Sequence, residues 1–104
     1  MAVGPILKKV AVAALVWIAS HPGEIKKVFE EAIATVGSMP NLPVKTLGGK
    51  YLWATVAEHD GWRLQKNKLL DYCRILDPRN IRRAWGSERS MTEILEELVK
   101  RSNQ

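Results

Sequence analysis

Apolar positions recur at helical spacing from the start of the chain. Leu7, Val10, Ala11, Ala14, Leu15 and Ile18 stand three or four residues apart, as one face of a helix requires. Pro5 lies where a first helical turn tolerates a missing N–H. Val12, Val16 and Trp17 fall on the other side. A helix that is apolar all round must be buried all round, or lend one side to a partner. Val12, Val16 and Trp17 are therefore the candidate self-association residues. Ser20-His-Pro-Gly23 breaks the run. A second stripe follows, Ile25, Val28, Phe29, Ala32, Ile33 and Val36, with Lys26, Lys27, Glu30 and Glu31 turned outward and Gly37 beyond its end. The short break predicts that the two helices form an antiparallel hairpin.

Pro40 and Pro43 make 37–43 a loop. Val44-Lys-Thr-Leu47 suits a short strand, ended by Gly48-Gly49. Lys50 to His59 reads as a third helix with Leu52, Trp53, Val56 and Ala57 on one face, closed by His59-Asp60. Trp62 to Asn67 then alternates as a half-buried strand does. Leu69, Leu70, Tyr72, Cys73, Ile75 and Leu76 fit a strand returning through an Asn67-Lys68 turn, or two turns of helix. The hairpin is the expectation. Asp77-Pro78 resembles an N-cap that opens a short helix, with Ile81, Ala84 and Trp85 inward and Gly86 as its stop. Ser90-Met-Thr-Glu93 fits a capping box before the stripe Met91, Ile94, Leu95, Leu98 and Val99. The pattern predicts one α+β domain over residues 1–104, mainly helical with a small two-stranded β-ribbon. An all-α helical bundle is the alternative.

Composition supports a single core. The chain has 104 residues, 46% hydrophobic and 26% charged, the balance of an ordinary globular domain. Four tryptophans supply enough apolar area to fold without a metal or a disulfide, and Trp62 and Trp85 are expected in the core. Cys73 is the only cysteine, so no intrachain disulfide can form and the expected location is cytoplasmic. Val10 to Ala19 is an unbroken apolar run preceded by Lys8-Lys9. It is about half a membrane span, so membrane contact is not expected. The alternative for this run is export through an N-terminal signal-like segment.

Chemistry-bearing motifs are missing. Gly48-Gly49-Lys50 is no phosphate loop, because Val44 and Tyr51 occupy the positions that need a glycine and a serine or threonine. His21, His59 and Cys73 lack neighbours at metal-ligand spacing. Nucleophilic catalysis would need Cys73 beside His59, with Asp60 or Asp71 behind it, and nothing in the sequence joins them. No enzyme activity, cofactor or metal is expected.

Charge is the most informative feature. Residues 61–86 hold Arg63, Lys66, Lys68, Arg74, Arg79, Arg82 and Arg83 against Asp71 and Asp77, a net +5 that equals the charge of the whole chain. These seven are the candidate anion or nucleic-acid contacts, since guanidinium forks bind phosphate and aromatic rings stack on bases. Pairing of some of them with Glu93, Glu96 and Glu97 of the last helix is the competing expectation. The sequence thus predicts a non-catalytic binding module for a protein partner or for itself, with nucleic-acid binding by 61–86 as the alternative.

The run Gly48-Gly-Lys-Tyr-Leu-Trp-Ala-Thr-Val-Ala-Glu-His-Asp-Gly-Trp-Arg-Leu-Gln-Lys-Asn67, continued by Arg74-Ile-Leu-Asp77 and Arg83-Ala-Trp-Gly-Ser87, resembles small bacterial or phage proteins of unassigned function. The resemblance implies a bacterial or phage source and a structural unit in mid-chain. It implies no activity.

Overall fold

An antiparallel meander, with helices on one side, is the framework of the computed structural model, which describes residues 5–36, 44–46 and 51–102. Helix α1 is Pro5–Ser20, and a single 3-10 turn at Pro22–Glu24 leads into α2, Ile25–Val36. The strands are β1 Val44–Lys45, β2 Trp53–His59, β3 Trp62–Asn67, β4 Cys73–Leu76 and β5 Ile81–Gly86, followed by α3, Glu88–Ser102. Their order in the sheet is β1-β5-β4-β3-β2, with every neighbouring pair antiparallel. The expected loop at 37–43 and the Gly48-Gly49-Lys50 stretch lie outside the described residues.

The expected two-stranded ribbon is corrected. Strands β2 to β5 form four consecutive antiparallel strands, and the all-α alternative falls with them. Both misread segments, 50–59 and 77–86, are largely strand. Each carries a β-bulge: the register jumps from Thr55↔Gln65 to Ala57↔Leu64, leaving Val56 over, and from Ile75↔Ala84 to Leu76↔Arg82, leaving Arg83 over. A bulge shifts the side-chain alternation by one residue, so Trp53, Val56 and Ala57 imitate helical spacing. The turns decide the matter. Asp60 and Gly61 both take positive φ, 50° and 86°, the two-residue hairpin geometry whose twist suits flanking strands. Asp77 does not cap a helix: its Oδ1 accepts N–H bonds from Arg79 and Ile81, and Asn80 at φ 66° closes the turn into β5.

Across the covered face, Ala57, Leu64, Ile75 and Ala84 stand opposite one another on four strands. All four are buried in one cluster with Leu7, Ala11, Ala14, Leu15 and Ile18 of α1 and Met91, Ile94, Leu95 and Leu98 of α3. Helix α1 lies on β2 and β3, with α3 beside it toward β4 and β5. The helical hairpin is also revised, because α2 packs on α3, where Arg101 Nη1 meets Glu31 Oε2 at 2.9 Å. Helix α3 begins one turn before the expected box: Ser87 Oγ accepts from Ser90 N–H at 3.1 Å, so Ser87 is the cap. None of the described helices is long and apolar enough to cross a membrane.

Candidate functional site

Since Leu64 and Ile75 face the helices, alternation turns Arg63 and Gln65 of β3, and Arg74 and Leu76 of β4, to the opposite face. There Thr55, Gln65, Arg74 and Trp85 form one cross-strand row, and Arg63, Leu76 and Arg82 form the next. Arg74 Nε donates to Gln65 Oε1 at 2.8 Å, and its guanidinium lies 4.1 Å above the Trp53 ring. The Arg82 guanidinium lies 5.1 Å from the centre of the Trp85 ring, and Tyr72 tilts against that ring at 5.2 Å. Together Trp53, Trp85, Arg74 and Arg82 line a hollow of about 220 Å³, with Asn67, Leu70 and Tyr72 at its rim.

The electrostatics of the hollow are one-sided. Arg74 is only 8% exposed. Burial lowers its pKa, and the positive charges of Arg63 and Arg82 lower it further. Arg63 spends its guanidinium on neutral oxygens, the carbonyls of Gly61 and Asp77 and the Asn80 side chain. Among the described residues, Arg82 Nε is buried with no hydrogen-bond acceptor.

The seven sequence candidates therefore do not share one surface. Lys66 is buried among the strands on the helix side, with Nζ 3.1 Å from Asp71 Oδ1. Arg83 is held by Asp77 Oδ2 at 3.0 Å. Lys68 and Arg79 are exposed in turns. Only Arg74 and Arg82 line the hollow, with Arg63 adjacent. Of the α3 acids expected to pair with them, Glu93 meets Arg89 and Glu97 meets Arg101 of their own helix.

A feature that the sequence reading missed adjoins the hollow. Asn67 Oδ1 accepts the N–H groups of Leu69 and Leu70, and Lys68 N–H bonds the Leu52 carbonyl. These bonds hold the β3–β4 loop and the approach to β2 together. The result is a rim of exposed large side chains, Tyr51, Leu52, Leu69, Leu70 and Tyr72, with Tyr51 91% and Leu69 77% exposed. Asn67, two residues before Leu69, is the local signal for an Asx turn rather than a continuing strand. Trp85 also departs from expectation, lying on this face, whereas Trp62 is in the core.

On α1, Val12 and Val16 are exposed, 48% and 42%, while Trp17 is half-buried and stacks on His21 at 4.5 Å. His21 Nδ1 donates to the Trp17 carbonyl at 2.8 Å. The fold does not bring Cys73 and His59 together. His59 stands opposite Trp62 and Cys73 opposite Lys66, at the two ends of β3, so they cannot form a dyad. Burial pushes the Cys73 thiol up to about 11. Among the described residues no three His, Cys, Asp or Glu side chains could hold a metal ion. No protein-family model, curated protein or solved structure matches the chain.

Proposed function

We propose that this domain is a non-catalytic binding module that engages a protein partner through the outer sheet face and its apolar rim. The observation that carries the reading is that exposed Leu70 and Tyr72 line one hollow with Trp53, Trp85, Arg74 and Arg82, while exposed Tyr51, Leu52 and Leu69 adjoin them along the chain. Tryptophan, tyrosine and arginine dominate the energetics of protein interfaces, and an apolar surround excludes water from them. Exposed leucines on a loop pinned by side-chain hydrogen bonds mark an interaction surface rather than a packing fault. A cytoplasmic location goes with this reading, because a lone buried thiol needs no oxidising compartment. The core position of Leu7, Ala11, Ala14, Leu15 and Ile18 argues against removal of the first helix as an export leader.

A photo-crosslinking residue at position 69, introduced in the cells that make the protein, tests the proposal. A discrete protein adduct that disappears in the Leu70→Asp background is expected. Failure to trap any adduct, or an adduct indifferent to Leu70, overturns it.

Nucleic-acid binding is the second reading, favoured by two tryptophans on one open sheet face, each with a guanidinium against its ring. It is the weaker one. Each guanidinium takes a ring face on which a base would stack, and Lys66 and Arg83 are committed to Asp71 and Asp77. Affinity for a single strand at low salt, falling steeply as salt rises, would promote it.

A further inference from the structure

Resting on that binding reading, we infer that the partner segment is acidic, and that it seats an Asp or Glu carboxylate in the hollow, on the guanidinium of Arg82. Three observations lead there. Arg82 lines the hollow, and its Nε is buried with no acceptor among the described residues. A buried donor left unsatisfied is costly, and more so on a charged group. The charges that act on neighbouring Arg74 are both positive, from Arg63 and Arg82. Finally, the nearby carboxylates are already committed: Asp71 meets Lys66 and Asp77 meets Arg83. A surplus of positive charge in a partly desolvated site is relieved by an anion from outside.

The surroundings select the kind of anion. Leu70 and Tyr72 line the hollow and would bury apolar residues flanking the carboxylate in a peptide, with exposed Leu69 next to them in the chain. A nucleic-acid strand gains little from such a rim, and successive phosphates need a row of available cations. Here the row is broken, because Lys66 faces the helix side and Arg83 is bound to Asp77. A hollow of about 220 Å³ admits one side chain and not a chain of nucleotides. Guanidinium and carboxylate then pair through parallel N–H bonds, the strong geometry for this combination.

Selection of random peptides displayed on phage against the purified domain tests the inference. Enriched peptides should carry Asp or Glu next to apolar residues. The synthetic form of one of them should bind Arg82→Gln about tenfold or more weakly, Arg82→Lys more weakly than wild type but better than Arg82→Gln, and Arg79→Gln unchanged. Unaltered circular dichroism of the Arg82 variants shows that the loss is local. Peptides that lack an acid and bind Arg82→Gln as well as wild type overturn the acidic partner and leave the binding module standing. A domain that enriches no peptide overturns both. Tight binding of a single-stranded oligothymidylate that depends on Arg82 overturns the carboxylate in favour of phosphate.

Discussion

Gly61 and Pro78 hold two hairpin turns against each other. A β-carbon at Gly61 would stand 3.0 Å from Pro78 Cβ and 3.1 Å from its Cγ, and the Gly61 backbone has φ 86°. Only glycine meets both demands, since side chains are strained at positive φ and the proline ring cannot give way easily. Gly61→Ala should therefore lose about 1–2 kcal/mol of stability from the backbone alone, and more from the contact with Pro78. Urea unfolding measures it. A variant as stable as wild type would mean that the turns do not pack this way.

Lys66 and Asp71 give a pH dependence of definite sign. The Lys66 hydrogen bond, then the Glu88 N–H bond, hold the Asp71 carboxyl below its ordinary 3.8. A depressed carboxyl stabilises the fold above its unfolded pKa, and this contribution fades as pH falls through the lower, folded value. Asp71→Asn should cost about 1 kcal/mol at neutral pH, since Asp71 itself is largely exposed. The gap from wild type should close below pH ~3.8. Equal loss at every pH would show that the amide disturbs packing rather than charge.

Helix α1 separates burial from association. Leu15 is fully enclosed, so Leu15→Ala should destabilise by about 2–5 kcal/mol. Val12→Glu and Val16→Glu should leave stability nearly unchanged. The same two valines are the contact proposed for self-association, so light scattering should detect a concentration-dependent dimer that either substitution dissolves. A strict monomer at every concentration removes α1 as an interface.

Cys73 should be a slow thiol. With its pKa pushed up to about 11 by burial, little thiolate exists at neutral pH. A thiol-specific chromogenic reagent should label the native protein far more slowly than the unfolded chain. Because the folded pKa is raised above the ordinary 9.0, stability should decline as pH climbs from about 9 to about 11. Rapid native labelling at neutral pH would place Cys73 nearer solvent than its burial allows.

The sequence was most legible where period and burial coincide. The stripes on α1 and α3 name the core residues Leu7, Leu15, Ile18, Ile94 and Leu98 correctly. Strands β2 and β5 were hidden because one extra residue in each, Val56 and Arg83, broke the two-residue rhythm. The Asp60-Gly61 pair, a strong hairpin signal, would have outweighed the apparent helix at Lys50 to His59. Arg74 and Arg82 stood among the charged candidates, yet Trp53 and Trp85 could not be added to them. Which face of a sheet a residue occupies follows from register, and register across four strands is not local information. Leu69 and Leu70 look like core in a list of apolar residues. Only the hydrogen bonds to Asn67 turn them outward.

The bulge at Val56 has a further consequence for solubility. Strand β2 ends the sheet on the side away from β1, and a long straight border strand invites another chain to zip onto it. An offset in mid-strand spoils the regular spacing of donors and acceptors that such an intruder would have to match. Among the described residues nothing pairs with the outer side of β2, and the offset makes strand addition there unfavourable.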